Sequence, residues 1–203
     1  MRGKGLELHA SVKRHPGFSL TELVVALAVA MILLAVGLPA FLRFYHSYQL
    51  TNAAHQVADY LRLARYEAIR LNRPLALQIQ PSALYPGMTT LWVDSNGNGV
   101  LDPTEMNTLL GTSGSLVSSG VPGISTLISD ASLGSFATTS PSPSGSAVWF
   151  DARGAVMPPT SVNMFYLASS VAPDAGYRSV LLLPAGSIQI WTGDASGKWQ
   201  QLQ

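Results

Sequence analysis

The sequence of 203 residues contains no cysteine, and no histidine follows His55. Without cysteine the chain has no disulfide, no thiolate metal ligand and no cysteine nucleophile. Without histidine the chain after residue 55 cannot build a Ser-His-Asp triad or a histidine-based zinc site. Lysine and carboxylate side chains do follow, but in no catalytic spacing. We therefore predict that the protein is not an enzyme and that it requires no cofactor.

Charged residues are also scarce, because they make up 11% of the chain against 47% for hydrophobic residues. The typical charged fraction is about a quarter. The apolar residues are concentrated in residues 23–42, a run of 20 residues without a charged or polar side chain. At about 1.5 Å per residue, a helix of this length crosses a hydrocarbon layer of about 30 Å. The sequence therefore predicts a transmembrane helix.

The segment before this helix, residues 1–17, is basic. It carries Arg2, Lys4, Lys13 and Arg14 against a single acidic residue, Glu7. Basic flanks stay in the cytoplasm, so the bulk of the chain is expected outside. The residues after the apolar run lack the small-residue cleavage site of a secretory signal peptide.

A single carboxylate, Glu22, lies at the entrance of the apolar helix. A charge in lipid costs a few kcal/mol, so it is expected to have a partner. Glu22 is the fifth residue counted from Phe18. If the chain were cut between Gly17 and Phe18, the new amino group of a neighbouring subunit would be a suitable counter-charge.

The basic leader, Gly17, Phe18, Glu22 and the apolar helix together resemble the class III signal of type IV pilins and pseudopilins. The resemblance implies cleavage between Gly17 and Phe18 by a prepilin peptidase and methylation of the Phe18 amino group. It further implies assembly with other pilins or pseudopilins at an inner-membrane platform. Gly37 and Pro39 lie where pilin helices commonly bend or melt in the filament, and a proline removes one helix hydrogen bond.

The helix is expected to continue beyond the membrane as an amphipathic segment over residues 43–73, ending before Pro74. Apolar residues at spacings of three and four form one stripe on it: Leu50, Ala54, Val57, Leu61, Ala64, Ala68 and Leu71. Pairs of opposite charge three residues apart, Asp59 with Arg62 and Glu67 with Arg70, lie off this stripe.

Residues 74–203 are expected to form a β-rich head. Seven strands are predicted, at residues 75–80, 89–94, 107–110, 147–151, 162–168, 179–183 and 187–191. An antiparallel sheet packed on the helix stripe makes the fold class α+β. The Gly-, Ser- and Pro-rich residues 111–146 are predicted to be long loops with little regular structure.

Several short motifs of the head are similar to those of the minor-pilin family that includes GspH and FimT. They are residues 61–80, where the helix joins the head, the Asp- and Asn-Gly-rich loop of residues 94–105, Trp149-Phe150-Asp151-Ala152-Arg153-Gly154, Arg178-Ser179-Val180 and Gly186-Ser187-Ile188. The resemblance implies a non-enzymatic subunit of a type IV pilus or of a type II secretion pseudopilus. Such a subunit begins in the inner membrane with its head outside.

This sequence differs from the pattern of the family at one place. Members that bind DNA often carry a basic pair around the final glycine, where this chain has Ser187 and Gln189. From residue 74 onward three basic side chains face seven acidic ones, a formal charge of −4. Because phosphate neutralisation supplies most nonspecific DNA affinity, we do not expect direct nucleic-acid binding.

Residues 94–105 fit the spacing of a calcium loop. The oxygen ligands would be Asp94, Asn96, Asn98, the Val100 carbonyl, Asp102 and Glu105. The flanks are predicted to be strands rather than the helices of an EF-hand, and an Asn-Gly run also forms plain hairpin turns. A weak calcium site and a bare Asx-rich hairpin loop both remain open.

The sequence thus indicates a minor pilin or pseudopilin. Two other functions fit parts of the same pattern. One is a signal-anchored protein with a single membrane span and a ligand-binding head, and the other is a pilus-associated DNA receptor for natural transformation.

Overall fold

The computed structural model describes Gly17 and residues 19–202. The chain divides into two compact units, Met1–Ala40 and Phe41–Gln203. The first unit holds the start of a long helix. The second holds the rest of that helix and all the strands.

The long helix, α1, runs from Leu20 to Leu71 over 52 residues. It ends where Asn72 takes a left-handed conformation, with φ of 49°. Pro74 then prevents its continuation. Six of the seven predicted stripe residues are buried, and Leu71 is partly buried against the core. Both predicted ion pairs are present, Asp59 with Arg62 at 2.7 Å and Glu67 with Arg70 at 2.6 Å.

Two β-sheets form the head. The strands are β1 Leu75–Pro81, β2 Thr89–Asp94, β3 Asn107–Leu110, β4 Ser115–Val117, β5 Ala137–Thr139, β6 Ser146–Phe150, β7 Val156–Met157, β8 Ser161–Ala168, β9 Tyr177–Leu182, β10 Ile188–Gly193 and β11 Trp199–Leu202. The first sheet has the strand order β3-β2-β1-β6-β7, and the second has the order β11-β10-β9-β8-β4. All pairings are antiparallel except that of β5, which runs parallel to β8.

The stripe of α1 forms one hydrophobic core together with both sheets. Leu77 and Ile79 of β1 and Phe150 of β6 enter it from the first sheet, and Phe165 of β8 and Val180 of β9 enter it from the second. The long helix is therefore the common support of the two sheets, and its small residues, such as Ala54, allow close packing.

The second sheet is covered on its other face as well. A second helix, α2, spans Ile124–Asp130 and contributes Leu127 to a separate cluster with Met164, Trp191 and Trp199. Burial on both faces agrees with the continuous apolar run of β9.

The prediction of loops with little regular structure over residues 111–146 is wrong in part. This stretch contains β4, α2 and β5, and it supplies much of the cover of the second sheet. These elements have only three to seven residues each, so their signal is weak beside the abundant Gly and Ser. The apolar spacing of Ile124, Leu127 and Ile128 is the helical signal that marks α2.

The predicted fold class, α+β with a long N-terminal helix and antiparallel sheets, is confirmed. The head contains two sheets where one was expected. The sequence pattern shows which residues form strands, but the division into two sheets depends on pairing between residues far apart in the chain.

Candidate assembly segment and helix-to-head contacts

The start of α1 holds the predicted assembly residue. Glu22 lies in the first turn of the helix, and the backbone amide of Leu23 donates to the Ser19 carbonyl at 3.1 Å. A carboxylate in this position is favoured by the partial positive charge of a helix amino terminus. Gly17 is exposed, whereas Phe18 lies outside the described residues. Cleavage after Gly17 and methylation of Phe18 therefore stay predictions.

The helix that follows Glu22 is long and apolar enough to cross a membrane, and none of its most apolar 18-residue window is buried. Residues 20–42 are all exposed within the chain. A buried core helix would have its apolar residues covered, so this segment needs a cover that the described residues do not supply. A lipid layer or neighbouring helices of the same kind would provide it.

The helix is continuous through Gly37 and Pro39. Proline lacks the amide hydrogen that an interior helical residue donates, so one ladder hydrogen bond is missing at this point. The predicted break at these two residues concerns the assembled filament and stays a prediction.

In the second unit, Arg178 of β9 joins the sheet to α1. Its Nε donates to Thr51 Oγ1 at 3.0 Å, and its Nη2 donates to Ser47 Oγ at 2.8 Å. Nη1 donates to the Tyr177 carbonyl at 2.9 Å and to the Ala175 carbonyl at 3.5 Å. Only 6% of Arg178 is exposed. Burial lowers the pKa of Arg178, and its partners are neutral oxygen atoms rather than a carboxylate.

A second arginine, Arg65 of α1, contacts two turns of the head. Its Nη1 donates to the Gly186 carbonyl at 2.9 Å. Gly154 and Gly186 both have positive φ angles, 78° and 80°. A Cβ at Gly186 would lie 2.5 Å from the Gly154 carbonyl oxygen and 2.8 Å from Arg65 Nε. The glycines of two separate family-like motifs therefore meet under one arginine side chain.

The candidate calcium loop is closed by its own hydrogen bonds. Asp94 is 1% exposed, and its carboxylate accepts the backbone amides of Gly97 at 2.7 Å and Gly99 at 2.9 Å. The side-chain amide of Gln78 donates to the same carboxylate at 3.3 Å. The carboxylate at the first loop position thus fixes the tight bend.

The remaining side chains of this loop also converge. Glu105 Oε1 accepts the Ser95 amide at 2.7 Å, and Glu105 Oε2 accepts the Asp102 amide at 3.2 Å. Asp102 Oδ2 accepts the side-chain amides of Asn96 at 2.5 Å and Asn98 at 3.0 Å. The amide nitrogens therefore point at Asp102, whereas the oxygens of Asn96 and Asn98 accept backbone amides two residues on.

These bonds close the loop, and the described residues contain no group of three or more acidic or histidine side chains arranged for a metal. Calcium would need the side-chain oxygens of Asn96 and Asn98, which now accept backbone amides, to turn inward. The calcium site stays a prediction, with the Asx-rich hairpin loop as the alternative.

The head has fewer basic side chains on its surface than in its sequence. Of the three basic residues from residue 74 onward, Arg178 is buried and bonded to α1, which leaves Arg153 and Lys198 on the surface. Trp92, Trp191 and Trp199 are buried, and Trp149 is 40% exposed.

Sequence reasoning did not identify the residues that hold the helix to the head. Ser47 and Thr51 are one turn apart on α1, and Arg65 lies on the same helix. The sequence signal for this contact is that Ser47 and Thr51, four residues apart, form a polar pair beside the apolar stripe of the helix. It does not show that the partner is an arginine more than 120 residues away.

The model of the family described as type II transport protein GspH matches residues 53–186. The model of the prokaryotic N-terminal methylation motif matches residues 12–38. Two crystal structures of the type IV minor pilin FimU from Pseudomonas aeruginosa are similar, at 19% and 18% identity with TM-scores of 0.46 and 0.45. They cover 74% and 77% of this chain and 97% and 96% of their own. No curated protein sequence matches this chain.

Proposed function

We propose a filament-assembly role for this chain, which belongs to the family of type II transport protein GspH and is a minor pilin or pseudopilin. The observation that carries the proposal is the exposed apolar segment of α1, which begins one residue after Glu22 and has no cover among the described residues. Pilins and pseudopilins are structural subunits, so this segment serves assembly rather than catalysis.

The chain first resides in the inner membrane as a precursor. Its basic leader remains in the cytoplasm, and its head lies on the outer side. A prepilin peptidase then cleaves between Gly17 and Phe18, and the new amino group of Phe18 is methylated. The match of residues 12–38 to the N-terminal methylation motif supports processing in this segment.

Glu22 guides the processed helix into the filament. A carboxylate in an apolar environment is costly unless a positive charge neutralises it. The amino group of Phe18 in a neighbouring subunit supplies that charge once the leader has been removed. The same pairing would orient each incoming helix with respect to the one before it.

The proposal is tested by replacing Glu22 with alanine and following two quantities separately, membrane insertion and filament entry. Glu22→Ala removes the charge but leaves the apolar helix, so insertion should equal that of the wild type. Filament entry should fall at least tenfold. Thr21→Ala is the matched control, because it changes the adjacent exposed residue without changing charge. Normal filament entry of Glu22→Ala would contradict the proposed pairing.

Two features favour a structural role over the two other functions considered. The head carries a formal charge of −4, and two surface cations from residue 74 onward are a poor basis for phosphate binding. A signal-anchored binding protein without a filament would not need the cleavage and methylation motif that residues 12–38 match. The filament in which the subunit serves is either a type IV pilus or a type II secretion pseudopilus.

A further inference from the structure

A groove of about 620 Å³ lies where the two sheets of the head approach each other. It is lined by β5 of the second sheet and β6 of the first, with Pro141, Met157 and Pro158 completing the walls. This volume falls in the range of pockets that bind ligands, roughly 300 to 1,000 Å³.

One wall of this groove is a strand edge that is only partly used. β6 pairs with β1 along its whole length on one side. On the other side it pairs with β7 at two positions alone, Trp149 with Met157 and Phe150 with Val156. No strand among the described residues pairs with Ser146–Val148 on that side.

The hydrogen-bond pattern shows which backbone groups face the groove. The Asp151 amide donates to the Ala155 carbonyl at 2.8 Å, and the Val156 amide points away to the Pro184 carbonyl at 3.0 Å. In an antiparallel pair the bonded positions alternate, so the amide and carbonyl of Ala147 point to the groove side.

Strand β7 does not continue opposite Ala147. By the register of β6 and β7, the position opposite Ala147 would be Pro159, which has no amide hydrogen to donate to the Ala147 carbonyl. The chain turns there instead, and the Ser161 amide donates to the Pro158 carbonyl at 3.4 Å. Ala147 is exposed, and its backbone groups face a position that no strand among the described residues fills.

The other wall, β5, is also an edge strand. Among the strands that the structure describes, Ala137–Thr139 pairs with β8 alone, and all three of its residues are exposed. The groove is thus bordered by two strands, one from each sheet, that both have an unpaired edge. An extended segment is the kind of chain that such an opening accommodates, because main-chain hydrogen bonds can form along it.

The lining determines the chemistry of the segment. Every residue that lines the groove is uncharged, and the side chains are Ser, Thr, Asn, Ala, Val, Met and Pro. A charged side chain placed here would lose water without gaining a counter-charge.

We propose that the groove binds an extended, uncharged segment of another protein, which adds to the first sheet as a strand beside Ala147. This inference concerns the head alone and does not depend on cleavage, methylation or the role of Glu22.

The experiment uses the full chain in detergent micelles and a displayed library of nine-residue peptides built from uncharged residues. Sequences are selected on the wild type and then measured by fluorescence anisotropy on Ala147→Val and Ala147→Pro. Valine keeps the amide hydrogen, so binding should stay within about threefold of the wild type. Proline removes the amide hydrogen at an exposed strand edge, where proline is tolerated, and should weaken binding at least tenfold.

A second measurement does not depend on a variant. Bound peptide should slow hydrogen exchange of the Ala147 amide in the wild type and leave the edge strand β11 unchanged. The same peptide is then made with methylated backbone amides at every second residue. Loss of affinity on this methylation, together with slowed exchange at Ala147, would establish backbone pairing.

Two results would overturn the proposal. In the first, every selected peptide binds Ala147→Val and Ala147→Pro with the same affinity, although both variants melt within a few degrees of the wild type. The second is a wild-type dimer whose interface protects Ala147 while no peptide binds, which would make a second copy of this chain the occupant.

Discussion

Arg178 on β9 donates a 2.8 Å hydrogen bond to Ser47 on α1, across 131 residues of sequence. All three nitrogen atoms of the buried guanidinium group donate hydrogen bonds. Nε donates to Thr51, Nη1 donates to two backbone carbonyls of the head, and Nη2 donates to Ser47. A buried charge is costly unless its hydrogen bonds are satisfied, so Arg178 has a favourable environment only where the helix and the sheet are docked. The contact therefore joins residues 47–51 of α1 to β9 of the second sheet.

Replacement of Arg178 should weaken that unit. Arg178→Ala removes the charge-assisted hydrogen bonds and should lower the free energy of unfolding by about 3 kcal/mol. For a chain of this size the melting temperature should fall by roughly 6 to 12 °C. Thermal unfolding of the full chain in detergent is the measurement. Arg153→Ala removes an exposed arginine from the same head and should change the melting temperature by no more than about 2 °C; an equal loss in both variants would show that the Ser47 contact contributes nothing.

The contact between Gly186 and Gly154 gives a second prediction with a matched control. Gly186 and Gly87 both have φ of 80°, so alanine at either position costs about 1 to 2 kcal/mol of backbone strain. A Cβ at Gly87 meets no atom within 4 Å, whereas a Cβ at Gly186 overlaps the Gly154 carbonyl.

Gly186→Ala should therefore destabilise the chain by about 2 kcal/mol more than Gly87→Ala does. Urea unfolding of the two variants measures the difference. Equal losses would mean that the turn can move away from Arg65 without cost, and that the two motifs are not held together.

The calcium loop is tested by the melting temperature with and without calcium. If the loop binds calcium in the weak range of about 10⁻⁴ to 10⁻³ M, a tenfold excess over the Kd should stabilise the chain by about 1.4 kcal/mol. Magnesium at the same concentration is the control ion, because it demands a smaller and stricter shell. If calcium does not change the melting temperature, the loop is an Asx-rich hairpin loop that binds no calcium.

Variants of this loop are compared by the change in melting temperature that calcium causes in each. Asp94 and Glu105 accept backbone amides of the loop, so Asp94→Ala and Glu105→Ala should melt below the wild type even in the absence of calcium. The difference between the melting temperatures with and without calcium isolates the ion. That difference should vanish in both variants if their carboxylates are ligands.

The sequence was sufficient where a feature is local and periodic. The stripe of α1 from Leu50 to Ala68 follows the helical period, and the strands Thr89–Asp94 and Asn107–Leu110 have the predicted bounds. Helix and strand periodicity arise from the geometry of each element, so they can be read without knowing what the element packs against.

The features that the sequence did not reveal depend on contacts between distant residues. Arg178 gives no sign of its partners Ser47 and Thr51, and nothing local divides the strands into two sheets. Short elements such as β5 form because β8 offers an edge to pair with, not because Ala137–Thr139 has a strong preference of its own. The open edge of β6 is likewise visible only after the register with β7 is known.

Processing of the chain and its entry into a filament can be measured by mass spectrometry of sheared surface filaments and of the membrane fraction. We expect a peptide that begins at Phe18 and carries one added methyl group. Its presence in sheared filaments would identify a pilus subunit, and its presence in membranes alone would identify a periplasmic pseudopilin or a rare initiating subunit. An intact bond between Gly17 and Phe18 in both fractions would exclude processing and filament entry and would indicate a signal-anchored protein.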